Sequence, residues 1–189
     1  MHSIKTVQKI PVSVEDAWNF FSSPVNLRAI TPGNMGFKII SKNHGDKMYA
    51  GQVIEYNVSP FLSIPLYWMT EITHADELKY FIDVQRKGPY SLWHHQHHFK
   101  KIEGGVEMID IVHYKNRFGF IGQAANSLFV KRQLKKIFEY RFNKVEEIFG
   151  KWEEQNPFIK IKLKRKSSRF PHILLNPINP GSEFIQVFS

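Results

Sequence analysis

The chain has 189 residues, of which 42% are hydrophobic and 14% aromatic, so it is long enough to bury a core without covalent cross-links. It contains no cysteine, which excludes disulfides, a thiolate nucleophile and a cysteine-ligated zinc site. Its formal net charge is +9, and residues 151–189 carry 7 Lys and Arg against 3 Asp and Glu, whereas residues 1–150 carry 19 against 14. This basic excess fits a solvated surface or an anionic partner, and we favour the solvated surface.

The first predicted elements are a strand and two short helices. Residues 4–12 alternate loosely between apolar and polar side chains, which predicts a strand. Ser13 is the predicted N-cap of a short helix, with Asp16 three residues further on. Pro24 predicts the first position of a second short helix, which ends near residues 31–33.

The middle of the chain predicts consecutive strands with no helix between them. They cover residues 37–41, 52–58, 66–73, 79–85, 91–102 and 106–114. Gly104 and Gly105 are typical of a hairpin turn between the last two strands. The close spacing of these strands predicts an antiparallel meander.

A long amphipathic helix is predicted over residues 123–150. Its apolar positions recur at helical spacing and are Leu128, Leu134, Ile137, Phe138, Val145, Ile148 and Phe149. The element order predicts an α+β fold, in which a curved antiparallel sheet of about six to seven strands wraps around this helix. A sheet that curls around a helix in this way leaves a cavity between them.

Residues 151–189 are predicted to be an extension of a ligand-binding domain that spans residues 1–150. Residues 160–166 alternate basic and apolar side chains and could pair as an edge strand. Pro171, Pro177 and Pro180 disfavour a long regular element further on. We therefore expect the extension to be draped over the domain or partly disordered.

Four histidines lie within the predicted strand at residues 91–102. Strand alternation places Trp93, His95, His97 and Phe99 on one face and leaves His94, Gln96 and His98 on the other. Two histidines at i and i+2 could bind a metal ion if Asp110 or His113 supplied a third ligand. The interpretation that we favour is that the histidines form ordinary hydrogen bonds, and we expect no metal ion and no cofactor.

His95 and His97 are also candidates for a general acid and a general base, with Asp110 orienting them. The sequence lacks the glycine spacing of a dinucleotide-binding loop or a phosphate-binding loop. Asp83 and Gln85 alternate on one strand, and they either face solvent or point into the cavity as polar anchors.

The predicted ligand-binding residues combine aromatic and aliphatic side chains with these polar groups. They are Tyr56, Trp68, Phe81, Asp83, Gln85, Trp93, His95, His97, Phe99, Tyr114, Leu134 and Phe138. Buried aromatic stripes are usually plain core, so only a subset is expected to line the cavity.

Four segments of roughly residues 3–150 resemble the START, polyketide-cyclase and pollen-allergen-type helix-grip superfamily (SRPBCC). These segments are Phe20-Phe21-Ser22-Ser23-Pro24-Val25-Asn26-Leu27 with Ile30-Thr31-Pro32, Phe81-Ile82-Asp83-Val84-Gln85 with Gly88-Pro89-Tyr90, the Trp93-x-His95-x-His97-x-Phe99 strand, and Asp110-x-Val112-x-Tyr114. The nearest resemblance is to a bacterial branch of ligand-binding domains, some described as cell-division-inhibitor-like. The resemblance implies a deep pocket between the sheet and the long helix, but no single activity.

From these observations we expect a binder or carrier of a small hydrophobic molecule such as a lipid, a polyketide or an isoprenoid-like compound. Two alternatives remain open: a cyclase-type or hydrolase-type enzyme that uses His95, His97 and Asp110, and a basic interaction module. We expect no nucleic-acid partner, and a homodimer remains an open alternative.

The N-terminus lacks the apolar core of a signal peptide and no run of about 18 apolar residues is present, so we expect a cytoplasmic protein.

Overall fold

The computed structural model describes residues 1–41, 45, 47–61, 64–117, 123–153, 155 and 157–163. The strands are β1 (His2–Ile10), β2 (Lys38–Ile39), β3 (Val53–Phe61), β4 (Ile64–Asp76), β5 (Tyr80–Lys87), β6 (Tyr90–Ile102), β7 (Gly105–Asn116) and β8 (Phe158–Leu163). The α-helices are α1 (Val14–Phe21) and α2 (Gln123–Phe149), and short 3₁₀ helices cover Pro24–Arg28 and Gly33–Met35. The predicted α+β fold with a long C-terminal helix is confirmed.

Helix α1 begins where the sequence predicts. The Ser13 hydroxyl accepts a hydrogen bond from the Asp16 backbone N–H at 3.0 Å, so Ser13 is the N-cap. The helix buries Ala17, Trp18 and Phe21, and the Trp18 ring meets sheet aromatics edge to face. The second predicted helix is a 3₁₀ helix of five residues that starts at Pro24, where proline's fixed φ is favourable.

The eight strands form one antiparallel sheet in the order β2-β3-β4-β5-β6-β7-β1-β8. Strands β2 to β7 follow one another as a meander, and β1 then pairs with β7 on the far side. The register places Asp83 opposite His95 and places Asp110 opposite both His97 and Thr6. Four adjacent strands, β5, β6, β7 and β1, thereby bring these polar side chains into one neighbourhood.

The sheet has one strand more than the six to seven that we predicted. The additional strand, β8, lies in the segment predicted as an extension and pairs with β1 along His2–Val7. Next to it, the Gln155 amide donates to the Lys9 carbonyl at 2.7 Å and accepts from the Lys9 backbone N–H at 2.8 Å. The free edge of β1 accounts for the extra strand, because an unpaired edge offers backbone groups to any nearby extended segment. Residues 164–189, including Pro171, Pro177 and Pro180, lie outside the described residues.

Helix α2 covers the sheet through a stripe of buried side chains. The stripe comprises Val130, Leu134, Phe138, Phe142 and Val145, which recur every three or four residues. Leu128 and Ile148 were predicted to belong to it, but they are 47% and 40% exposed. That prediction was wrong because Leu128 lies about 160° around the helix from Val130, and Ile148 lies on the flank of the stripe in the last turn.

Two groups of buried side chains form the core. The first joins α1 to the sheet and includes Trp18, Ile72, Phe81 and Phe99. The second lies under the N-terminal half of α2 and includes Trp68, Trp93, Tyr114, Leu134 and Phe138. Neither helix in the part of the chain that the structure describes is both long and apolar enough to cross a membrane.

Candidate functional site

A cavity of about 180 Å³ lies between the sheet, α2 and the short helices. Side chains from both groups of the core border it. Nine of the predicted ligand-binding residues line it: Tyr56, Trp68, Phe81, Asp83, Trp93, His95, His97, Leu134 and Phe138. The cavity is therefore largely apolar, with a polar wall contributed by β5 and β6.

Three residues that we predicted as ligand-binding lie elsewhere. The Gln85 side chain closes the β5–β6 turn, where its amide donates to the Tyr90 carbonyl at 2.7 Å and its oxygen accepts from the Tyr90 N–H at 3.3 Å. Phe99 packs in the first group of the core, against Trp18. Tyr114 is fully buried in the second group, and burial raises its pKa to about 12.

Arg141 is the cavity-lining residue of greatest chemical interest that the sequence analysis missed. It follows Phe138 by three residues and Leu134 by seven, so helical periodicity places all three on one face of α2. That spacing was the signal, and it was overlooked because an arginine is expected to face solvent. The other lining residues that were missed come mainly from α1, the 3₁₀ helices and the loops after them, where periodicity carries little information.

The polar wall belongs to a buried cluster of two histidines and two aspartates, in which Asp83, His95 and His97 border the cavity and Asp110 contacts the two rings. The predicted strand alternation is confirmed, since His95 and His97 are 6% and 5% exposed and face α2, whereas His94 and His98 point away. His97 Nε2 lies 2.8 Å from Asp83 Oδ2, and His97 Nδ1 lies 2.9 Å from Asp110 Oδ1. His95 Nδ1 lies 3.5 Å from Asp83 Oδ2, and His95 Nε2 lies 3.2 Å from Asp110 Oδ1. Each imidazole therefore lies between the same two carboxylates.

Asp110 has further partners. Thr6 on β1 donates its hydroxyl to Asp110 Oδ2 at 3.3 Å, and Arg141 Nη2 on α2 lies 3.5 Å from Asp110 Oδ1. The Arg141 guanidinium also lies over the Phe21 ring, at 5.4 Å from its centroid. Asp110, on β7, thus contacts three other elements of the fold, β1, β6 and α2.

The environment keeps both carboxylates ionised. Burial by itself would raise the pKa of Asp110, but Arg141, the hydrogen bond from His95 and the close approach of His97 outweigh it and hold that pKa well below its usual range. Burial likewise opposes ionisation of Asp83, yet the neighbouring histidines and Arg141 leave its pKa lowered. Two negative charges therefore remain in a buried cluster, where they require positive partners.

The surroundings shift the pKa values of the two histidines in opposite directions. Burial lowers the pKa of His95, and the neighbouring His97 lowers it further. Both aspartates act to raise this pKa, but their effect is smaller. Burial acts on His97 in the same direction, but its contacts with Asp110 and Asp83 outweigh burial and raise its pKa. A proton on His97, together with Arg141, would balance the charges of the two carboxylates. Both rings also border the cavity, which is the geometry that the acid–base hypothesis requires.

His113 does not join this cluster. It lies on the opposite face of the sheet, where its ring is 6.1 Å from that of His94. The metal hypothesis with His113 as third ligand is therefore wrong, because strand alternation puts His113 and Asp110 on different faces of β7. On the histidine face, the neighbouring carboxylates are Asp83 and Asp110.

Comparison with known proteins finds similarity in structure alone. No protein-family model and no curated protein sequence matches the chain. Protein Ms6760 from Mycobacterium smegmatis superposes with a TM-score of 0.59 and 12% identity, covering 77% of this chain and 89% of that one. Protein CV1439 from Chromobacterium violaceum gives a TM-score of 0.61 with 6% identity over 79% and 97% of the two chains. Ara h 8.0201 gives 0.51 with 14% identity over 77% and 97%.

These identities are too low to show a shared activity, so the likeness establishes the fold alone. The chain has the helix-grip fold of these structures: a curved antiparallel sheet that holds a long C-terminal helix.

Proposed function

We propose that this chain binds a small, mostly hydrophobic molecule in the cavity between the sheet and α2. The observation that carries the proposal is an apolar cavity with a buried polar wall on one side. Apolar side chains supply affinity for such a ligand, while a few convergent polar groups fix its orientation. The resemblance of the four sequence segments to ligand-binding helix-grip proteins supports the same proposal.

The size of the cavity narrows the class of ligand. A dry protein cavity of about 150 Å³ accommodates a benzene molecule, and this cavity measures about 180 Å³. A single-ring compound with a short substituent therefore fits the space as it stands. A long-chain lipid, a polyketide or an isoprenoid is larger than this volume, so only part of such a molecule would lie inside the cavity as it stands.

The polar wall of the cavity indicates that the ligand also has a polar group. Asp83, His95, His97 and Arg141 all border the cavity and offer donors as well as acceptors. The ligand that we propose thus has an apolar body that lies against the aromatic residues and one polar group that faces β5 and β6.

Thermal unfolding and native mass spectrometry with a series of single-ring phenols and aromatic acids test the proposal. A ligand at 100 times its Kd should stabilise the folded chain by about 2.7 kcal/mol. The variant Ile137→Trp fills the cavity from α2, and Leu128→Trp introduces the same residue on the exposed side of that helix.

Stabilisation of the wild type and of Leu128→Trp, but not of folded Ile137→Trp, is the expected result. Binding that Ile137→Trp leaves unchanged would place the ligand on the surface instead. If no member of the series binds the wild type, the proposal fails for this ligand class.

Acid–base catalysis is a second candidate function, because His95 and His97 both reach the cavity and are held by carboxylates. Mass spectrometry of the bound compound separates the two candidates. A carrier returns its ligand unchanged after prolonged incubation, whereas an enzyme of the cyclase or hydrolase type alters its mass or its retention time.

A further inference from the structure

The two imidazoles face more hydrogen-bond acceptors than their neutral rings have N–H groups to donate. All four ring nitrogens of His95 and His97 lie 2.8–3.5 Å from carboxylate oxygens. A neutral imidazole carries one N–H and one lone pair, so each neutral ring turns a lone pair towards a carboxylate. The geometry of His97 reflects this conflict, since its buried Nδ1 has no aligned hydrogen-bond partner although Asp110 Oδ1 lies at 2.9 Å.

Adding protons to the two rings does not give all four ring nitrogens a favourable contact. One added proton satisfies one ring and leaves the other with a lone pair against an oxygen. A second added proton would make two imidazolium rings whose centroids are 3.7 Å apart, which brings like charges together in a buried site. A cation that accepts the lone pairs of both rings at once removes the conflict.

We propose that Asp83, His95 and His97 bind one divalent first-row transition-metal ion through Asp83 Oδ2, His95 Nδ1 and His97 Nε2. Ligand atoms of the three residues lie within 4.8 Å of one another, and Asp83 Oδ2 is 2.8 Å and 3.5 Å from the two nitrogens. An ion with bonds of about 2.1 Å separates neighbouring ligand atoms by about 3.0–3.4 Å. Small side-chain adjustments therefore suffice to admit it.

Asp110 completes the arrangement as a support for the ligands. Metal-binding histidines usually donate their second ring N–H to a carboxylate, which fixes the tautomer and the ring orientation. Asp110 Oδ1 lies 3.2 Å from His95 Nε2 and 2.9 Å from His97 Nδ1, on the side of the rings opposite Asp83. Thr6 and Arg141 hold this carboxylate in turn, so it is a positioning residue and not a ligand.

The donor set and the location define what the ion would bind. Two imidazoles and one carboxylate suit iron, cobalt, nickel, copper or zinc, whereas magnesium and calcium prefer oxygen donors alone. Asp83, His95 and His97 all border the cavity, so the remaining coordination positions face it. A divalent ion together with Arg141 leaves one net positive charge over the two carboxylates. The open positions therefore favour an anionic oxygen, such as that of a phenolate or a carboxylate, on a mostly apolar molecule.

The test is a titration of chelator-treated, metal-free protein that carries no polyhistidine tag, with Co²⁺ alone. We expect saturable binding of one Co²⁺ per chain with visible absorption bands, displaced by Zn²⁺ and not by Mg²⁺. His95→Gln, His97→Gln and Asp83→Asn should abolish these bands. Asp110→Asn should keep the site but weaken its affinity by about 10-fold to 100-fold.

His98→Gln is the matched control, because it makes the same change on the opposite face of the same strand. Circular dichroism shows which variants remain folded. The proposal is overturned if the folded wild type binds no Co²⁺ at 1:1 stoichiometry, or if His95→Gln and His97→Gln bind it as His98→Gln does. Since no organic ligand is present, this result stands apart from the outcome for the proposed hydrophobic ligand.

Discussion

Arg141 is the residue on which the charge balance of the buried cluster depends. It provides the permanent positive charge beside two ionised carboxylates, and its side chain is 12% exposed. Removing one partner from a buried pair leaves the other charge uncompensated, which costs far more than losing a pair at the surface. The cluster therefore makes Arg141 a stability determinant as well as a cavity-lining residue.

Arg141→Leu should lower the free energy of unfolding by about 3 kcal/mol, because Asp110 then remains buried without its cation. Lys135→Leu is the matched control on the same helix, since Lys135 is mostly exposed and pairs with Glu139 at 3.4 Å. Its effect should stay within about 1 kcal/mol. Urea denaturation measures both values, and equal losses in the two variants would contradict the role assigned to Arg141.

Asp110 should also give the metal-free protein a specific sensitivity to acid. Its pKa lies lower in the folded chain than in the unfolded chain, where an aspartate titrates near about 3.9. The stability that it contributes is complete above that unfolded value and is lost as the pH falls through the folded one.

The wild type should therefore be more stable than Asp110→Asn at pH 6, and this difference should shrink as the pH falls below about 4. Urea denaturation in the presence of a chelator, at a series of pH values, measures it. A difference that stays constant down to pH 3 would show that the Asp110 carboxylate is not held in its ionised form.

Among the elements, β8 and α2 show most clearly how local pattern and tertiary context combine. Strand β8 alternates apolar and basic side chains, and its isoleucines pack against the second group of the core. Its pairing with β1 covers an edge that would otherwise be open. Helix α2 owes its orientation to the stripe from Val130 to Val145, and Arg141 lies beside that stripe because it shares the same periodicity.

Ile161→Ala should destabilise the chain by about 1–2 kcal/mol, since the side chain is half-buried against the core and its loss leaves a partial cavity. Phe158→Ala on the same strand removes a larger side chain that is mostly exposed, and it should cost no more than about 0.5 kcal/mol. Thermal denaturation compares the two. A larger loss in Phe158→Ala would mean that β8 buries the other face.

The arrangement of the sheet around α2 decides what the protein can accommodate. Side chains from both groups of the core border the cavity, and α2 contributes Leu134, Phe138 and Arg141 to its lining. Its volume and the polar wall follow from this arrangement and not from any one element. The size of the ligand should therefore change with the size of the side chains that α2 contributes.

Phe138→Ala should enlarge the cavity and lower the stability of the empty chain by about 3–5 kcal/mol. It should also shift the preferred ligand towards compounds with one additional ring or branch, which fill the new space. Phe129→Ala is the control, because Phe129 is 48% exposed on the same helix and does not line this cavity. Thermal shifts across a graded ligand series provide the measurement, and an unchanged size preference in Phe138→Ala would separate the ligand site from this cavity.

The sequence by itself determined the features that depend on local periodicity. Alternation over residues 93–99 identified which histidines share a face of the strand, Ser13 identified the start of α1, and spacings of three and four residues identified α2. These features were predictable because side-chain direction along a strand or a helix repeats with a fixed period. The order of the elements was enough to predict an antiparallel sheet with a helix across it.

Only the tertiary structure decided which distant residues meet. The pairing of β5, β6, β7 and β1 brings Asp83 and Asp110 to opposite sides of the two imidazoles, and α2 adds Arg141 from a segment far away along the chain. It also placed Gln85, Phe99 and Tyr114 away from the cavity and recruited β8 to the sheet. Register, helix placement and edge pairing are set by packing over the whole sheet, and residues separated by tens of positions carry no local signal of such contacts.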